Sequence, residues 1–260
     1  MHSLLFLGTG PGTPVAGRFC SSCLLRSGDS LVLVDAGEPC SQRLVEAGVP
    51  IADLDAVLIT HGHSDHTAGF PMLVQSSWLA PRSRPLPVYL PQELIKPLLA
   101  WLEAVYLPPS LLGFELDLRA WDPSKRIKAT PGVDVSIFPT THLRGLQQKI
   151  DPSAVDRFQI FGLDVDCGGR RVVFSSDLGA PSDLAPVVDR PCDVLVCELS
   201  HFQPDELFSV LRDGRIGQLL FNHLAPELNG REDELLAMAR RALPQVGQIR
   251  VVRDGDRVDF

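Results

Sequence analysis

The chain has no run of about 18 apolar residues, and so no segment able to cross a membrane as a helix. Its start, Met1-His2-Ser3-Leu4-Leu5-Phe6-Leu7-Gly8, has neither a basic leader nor a small-residue cleavage site. It reads as a first strand, and the expected compartment is the cytoplasm. An excess of basic residues is also missing: the formal net charge is −8. This argues against a partner that is long nucleic acid, because indifferent binding needs a basic surface to displace counterions. Arg18, Arg26, Arg43, Arg82, Arg84 and the Lys125-Arg126-Lys128 cluster are scattered and read as solvated surface. Cys-x-x-Cys occurs once, at Cys20 to Cys23, with no second pair to complete a structural zinc site. Cys40, Cys167, Cys192 and Cys197 add no disulfide framework in a chain of this length, and the last two flank an apolar strand as small core residues. The loop Gly8-x-Gly10-x-Gly12 lacks the helix that a dinucleotide site needs next, since Pro11 and Pro14 oppose it.

What the chain does have is histidine and aspartate in a few well-placed clusters. His61-Gly62-His63-Ser64-Asp65-His66 puts three imidazoles and a carboxylate within six positions. These nitrogen and oxygen donors suit zinc, manganese or iron better than thiolate-seeking metals. The run before them, Asp55 to Thr60, reads as a short buried strand, and Thr67 to Ser77 has helix-like apolar spacing. Three further candidates end apolar strand-like runs: His142 after Val133–Thr140, Asp177 after Val172–Ser176, and His223 after Gln218–Asn222. Ligands in layered α/β folds gather outside the carboxyl ends of strands, so the placement is coherent. Singly, each could be a buried histidine or a turn carboxylate; together they point to a metal centre.

The order His-x-His-x-Asp-His, His, Asp, His resembles the metallo-β-lactamase superfamily of binuclear hydrolases. Within it, Phe6-Leu7-Gly8-Thr9-Gly10-Pro11-Gly12-Thr13-Pro14 and Leu31-Val32-Leu33-Val34-Asp35-Ala36-Gly37-Glu38 resemble the ribonuclease Z-like branch. The likeness extends from Leu4 to Asp254-Gly255 and Val258-Asp259-Phe260. It implies that His61, His63 and His142 hold one divalent ion, that Asp65, His66 and His223 hold a second, and that Asp177 bridges them. The cofactors it implies are two divalent metal ions, with Zn2+ expected and Mn2+ or iron compatible with the same donors. Asp35 is implied to back the ligands, accepting the far N–H of an imidazole. A hydroxide bridging two such ions would be the nucleophile, since a bound metal lowers the pKa of water to about 7.

At 260 residues and 45% apolar content, the chain can bury a substantial core and is read as a single metallo-hydrolase domain, 1–260. Strand-like and helix-like runs alternate, with hairpins at Gly28-Asp29 and Gly168-Gly169, which by itself gives an α/β class. The resemblance sharpens this to an αββα sandwich of two mixed β-sheets with helices on the outer faces. The Pro-rich segment 81–128 is expected to be helical over Gln92–Tyr106 and to pack on the sheet, to form part of the substrate rim, or to form a dimer surface. Oligomeric state is not set by the sequence, although a homodimer is the commonest closed assembly.

Against ribonuclease Z itself, two features depart. His142 and Asp177 are separated by 35 positions that hold a hairpin, Phe158 to Ser175, leaving no room for the long arm that grips transfer RNA. The later Gly-His-Ser-Thr segment with that family's catalytic histidine is also missing. Cys197-Glu198-Leu199-Ser200-His201 stands in the place of a Glu-containing motif. There His201 is a candidate general acid, with Glu198 tuning it, or else a residue leading into the helix that starts at Pro204. Asp65, Glu198 and His201 are the candidate catalytic side chains. The expected activity is a phosphodiesterase with a small or short substrate. Alternatives are an ester or lactone hydrolase with the same site, a ribonuclease Z-type RNA endonuclease, and a catalytically decayed metal-binding accessory protein.

Overall fold

A computed structural model describes residues 1–260. The first half of the chain builds most of one sheet from β1 (His2–Gly8), β2 (Ser22–Ser27), β3 (Ser30–Val34), β4 (Ala56–Leu58), β5 (Leu86–Leu90) and β6 (Leu116–Ala120). The second half builds another from β7 (Ile127–Thr130), β8 (Val133–Pro139), β9 (Phe161–Cys167), β10 (Arg170–Phe174), β11 (Cys192–Leu199), β12 (Ile216–Leu224) and β13 (Gln248–Val251). The last strand, β14 (Arg257–Asp259), returns to pair antiparallel with β1. The two seven-stranded sheets run β14-β1-β2-β3-β4-β5-β6 and β13-β12-β11-β10-β9-β8-β7. Both are mixed: β3 to β6 are mutually parallel, as are β10 to β13, while the remaining neighbours pair antiparallel, some as hairpins such as β2–β3 and β9–β10.

Side-chain alternation along the strands sorts the residues into layers. In β3, Val32 and Val34 enter the core between the sheets, where they meet Val133, Leu163, Val172 and Val194 of the other sheet. Leu31 and Leu33 point outward onto α1 (Cys40–Glu46), α3 (Phe70–Leu79) and α4 (Ile95–Ala104). On the far side, Leu195, Leu219 and Phe221 pack against α7 (Pro204–Leu211) and α8 (Glu232–Ala242). A strand covered on both faces reads as a continuous apolar run, which is why β3 is Ser-Leu-Val-Leu-Val and wholly buried. The result is the αββα sandwich that the resemblance implies. No helix is long and apolar enough to cross a membrane.

Several local expectations change. The run Thr67–Ser77 is two helices, α2 (Ser64–Thr67) and α3, parted at Ala68-Gly69. A Cβ on Gly69 would lie 2.9 Å from the Ala36 carbonyl oxygen, so the chain must stay bare where it passes the loop after β3. The segment 81–128 is less helical than expected. It contains β5 and β6, and the run Gln92–Tyr106 divides into a 3-10 turn, Gln92–Leu94, and α4. Of the arginines expected in solvent, Arg82 is buried and Arg18 is half-buried with its side chain covered. Arg82 donates to the carbonyls of Ala52, Leu54, Arg84 and Pro85. Arg18 donates to Thr9 Oγ1 and the Val252 carbonyl and pairs with Glu232 at 3.3 Å. The six cysteines are free thiols, and all but Cys20 are buried.

Candidate metal centre

The parallel strands of each sheet end at the same edge, and the chemistry-bearing residues collect there. Asp35 follows β3, and the His61–His66 turn follows β4. His142 follows β8, Asp177 follows β10, and Glu198 and His223 are the last residues but one of β11 and β12. Two groups of side chains have ligand atoms all within 4.8 Å of one another: His61, His63, His142 and Asp177, and Asp65, His66, Asp177 and His223. Asp177 belongs to both. Its Oδ2 lies 3.8 Å from His61 Nε2, 3.6 Å from His142 Nε2 and 3.5 Å from His223 Nε2, while Oδ1 lies 3.3 Å from His66 Nε2. Asp65 Oδ2 is 3.5 Å from His66 Nε2 and 3.8 Å from His223 Nε2. Neither group contains a cysteine.

The donor set fits divalent cations on this chain's own geometry. The Nε2 atoms of His61 and His66 are buried and without any hydrogen-bond partner. Buried polar atoms are otherwise almost always paired, so lone pairs left open and aimed at shared carboxylates mark a site for a cation. The opposite nitrogens are engaged. His66 Nδ1 lies 2.7 Å from Asp35 Oδ2, His61 Nδ1 lies 3.1 Å from Thr60 Oγ1, and His223 Nδ1 lies 3.1 Å from Ser21 Oγ. Such partners set ring orientation and choose which nitrogen faces the cluster. Asp35 also accepts from the Thr60 N–H and Oγ1, so one carboxylate fixes the end of β4 and the ring of His66 together.

Burial keeps most of the imidazoles neutral and able to donate a lone pair. It lowers His61 well below the ordinary imidazole value, lowers His63, and brings His142 to about 4. His66 is the exception: burial opposes its charging, but Asp177 and Asp35 outweigh it and hold its pKa well above the usual range. Burial likewise works against the Asp177 carboxylate, yet His223, His66 and His61 keep its pKa well below the usual range. Three non-glycine residues here adopt left-handed backbone: Asp35 at φ 56°, Ser176 at φ 54° and His223 at φ 47°. Strain of about 1–3 kcal/mol at each such position persists only when surroundings over-determine it, and it concentrates at functional sites.

Glu198 and His201 stand beside this centre. Glu198 is buried and accepts from the backbone N–H groups of Leu178 and Ser200. His201 Nδ1 lies 2.7 Å from its Oε1, and the His201 ring centroid is 4.3 Å from that of His142. Burial opposes charge on His201, but the Glu198 hydrogen bond and carboxylate prevail and raise its pKa above the usual imidazole value. A cleft of about 280 Å3 opens over the cluster, lined by Gly12, His63, Asp65, His142, Asp177 and His201 among others, and no Lys or Arg lines it. The Pro-rich segment touches the His61–His66 turn at Gly62. Leu94 presses on Gly62, where a Cβ would meet Leu94 Cδ2 at 2.6 Å. The Gln92 N–H and the Glu93 carboxylate both bond to Gln159.

Sequence reasoning missed the residues that hold the ligand turns to one another. Asp183 accepts from the Thr141 N–H at 2.8 Å and the Gly179 N–H at 3.0 Å, joining the His142 turn to the Asp177 turn. Trp121 donates its indole N–H to the Ile59 carbonyl just before His61. Asp254 accepts from the Thr9 and Phe19 N–H groups and closes the glycine loop, whose Thr9 carbonyl accepts the His223 N–H. Only Asp254 carried a signal, as part of the C-terminal Asp254-Gly255.

Known proteins agree with this architecture. The family model described as "Beta-lactamase superfamily domain" matches residues 31–236. A Pseudomonas putida protein named Ribonuclease Z is 32% identical over 239 residues, covering 77% of this chain and 73% of that protein. The metallo-beta-lactamase fold protein YhfI from Bacillus subtilis superposes with a TM-score of 0.79 at 21% identity, covering 100% of this chain and 99% of the other. A diphosphatase from the PhnP family superposes with a TM-score of 0.74 at 19% identity, covering 100% and 98%. Family match, sheet order and clustered histidines and aspartates agree: the chain belongs to the metallo-β-lactamase superfamily of hydrolases.

Proposed function

We propose that this chain is a binuclear phosphodiesterase acting on a small or short substrate. His61, His63 and His142 hold one divalent ion, Asp65, His66 and His223 hold the other, and Asp177 serves both. Divalent ions at these positions supply Lewis acidity and an ionised water near neutral pH. The chain's own residues do the rest. The cleft walls set the diester between the two ligand groups. Asp35, Thr60 and Ser21 keep the imidazoles pointed inward. His201, protonated and fixed by Glu198, gives its proton to the departing alkoxide oxygen.

The observation that carries this reading is the Glu198–His201 pair beside the ligand cluster. A raised-pKa imidazole suits protonation of a poor alkoxide leaving group. The short substrate is supported by the β9–β10 hairpin. It turns tightly at Gly168-Gly169, with Arg170 opposite Cys167, so the interval from His142 to Asp177 holds only this hairpin and the connection 140–160 with its short helix Arg144–Ile150. A second reading is RNA endonuclease activity, favoured by the 32% identity to a protein named Ribonuclease Z. Metal-reconstituted protein should be assayed on bis(p-nitrophenyl) phosphate, cyclic nucleotides, acyl lactones and a precursor transfer RNA. Turnover of small diesters is expected. Lactone hydrolysis alone, or cleavage of the RNA with no action on small diesters, would replace the reading.

A further inference from the structure

The cleft over the ligand cluster must grip an anion without a lysine or an arginine, so its neutral donors matter. Apart from the imidazoles and carboxylates already placed, Gly12, Pro11 and Pro226, the side chains that line it are Ser200 and Thr13. Ser200 is engaged: its hydroxyl donates to the His223 carbonyl and its N–H to Glu198. Thr13 is exposed at the tip of the glycine loop, and neither its hydroxyl nor its N–H is spent on another group of the chain.

The residues around Thr13 make that tip stiff. Pro11 and Pro14 hold φ at about −65° on either side and offer no N–H, so the donors of the tip belong to Gly12 and Thr13. At its base the loop is tied down. The Gly10 N–H donates to the Phe19 carbonyl at 2.6 Å, and Asp254 accepts from Thr9 Oγ1 at 2.7 Å and from the Phe19 N–H at 2.6 Å. Gly12 lies against a ligand carboxylate: a Cβ there would be 3.3 Å from Asp65 Oδ2. Thr13 thus follows directly on the residue that touches the Asp65–His66–His223 group.

We propose that Thr13 is a catalytic residue whose hydroxyl donates a hydrogen bond to a non-bridging oxygen of the substrate phosphate. The inference rests on the phosphodiesterase reading and adds to it the side chain that holds the phosphoryl group. In phosphoryl transfer, charge lies on the equatorial oxygens, two of which are the non-bridging oxygens of a diester. A donor fixed in place before the reaction stabilises that charge without reorganising. Being neutral, the hydroxyl offers nothing to a second charge. The grip therefore suits the monoanion of a diester better than the dianion of a monoester, which a lysine or arginine at this place would draw in. Thr13 transfers no proton, and the bonds made and broken at phosphorus are those of the hydrolysis itself.

The test uses methyl p-nitrophenyl phosphate and the two enantiomers of its phosphorothioate, in which sulfur replaces one or the other non-bridging oxygen. The p-nitrophenolate leaves without a proton donor, so the result is independent of His201. Sulfur is a weak acceptor, and an enantiomer that turns it toward a hydroxyl loses rate whichever ion is bound. An enantiomer that turns sulfur toward an ion recovers when the softer cadmium replaces zinc. Wild type is expected to cleave one enantiomer slowly with zinc and with cadmium alike. Thr13→Val should lower kcat/KM for the oxygen ester about tenfold or more while retaining both ions, and should abolish the slow enantiomer's penalty. Thr13→Ser should restore both. Thr13→Val that cleaves the oxygen ester as fast as wild type overturns the assignment. So does slower cleavage with both thio effects unchanged, which would make Thr13 a support of the loop. In either case wild-type turnover leaves the phosphodiesterase reading standing. No turnover of the oxygen ester, or of bis(p-nitrophenyl) phosphate, by protein carrying two ions overturns that reading and the role of Thr13 with it.

Discussion

Asp35 shows how much one side chain can determine at this centre. Its carboxylate holds the His66 ring and both donors of Thr60, and its backbone is left-handed. Asparagine tolerates that backbone, so Asp35→Asn should fold. It removes the charged acceptor behind His66. Metal affinity of the Asp65–His66–His223 group should fall about 10- to 100-fold, as read by competition with a chromophoric chelator. An unchanged affinity would mean that His66 is oriented by packing alone. His201 gives a prediction in pH. Its pKa is raised, so the acid form, and the stability gained from the Glu198 pair, are complete below the unfolded value of about 6.5 and decline as pH rises through the folded value. On the proposed function, kcat falls on the alkaline side of that pKa. His201→Gln should remove that limb while retaining both ions, and an identical pH profile in the variant would exclude His201 as the acid.

Elements differ in how plainly the sequence announced them, and the differences have physical causes. β4 and the turn after it were legible because an apolar run stops where polar ligands begin. β5 and β6 were not. Pro87 lies inside one, between Pro85 and Pro91, and Asp117 and Arg119 interrupt the other, so they owe their strand character to the parallel pairing of β5 with β4 and of β6 with β5. The ligands were readable as residue types at strand ends, and the superfamily order completed them. Apart from Asp35, which the resemblance implied, their supports were not readable, because Asp183, Trp121 and Ser21 act across 42, 62 and 202 positions of sequence. Asp183 makes this testable. Removing it strands the Thr141 and Gly179 N–H groups between two ligand turns. Asp183→Ala should destabilise the fold by about 1–3 kcal/mol in urea unfolding. It should also weaken metal retention, which an independent surface turn would not do.

At the scale of the whole molecule, the centre is shared between the two sheets. His61, His63, Asp65 and His66 come from the first and His142, Asp177 and His223 from the second. Ions bound there would link the two halves, and binding to the folded chain alone adds about 2.7 kcal/mol at a free concentration 100 times Kd. Chelation should therefore lower the melting temperature by roughly 5–10 °C, restored on adding back zinc or manganese. Equal melting with and without chelator would show that the sandwich is held by its three apolar layers alone.

The lack of lysine and arginine around the cleft has a kinetic consequence. Asp65 and Asp177 face it, with Glu227 just beyond. Stripped of ions, such a mouth turns away the anions that it would hydrolyse. Loaded with two divalent ions, it draws them in. On the proposed function, binding is thus compulsorily ordered, ions first and diester second, and a diester added to chelated protein should show no saturable association until metal is supplied.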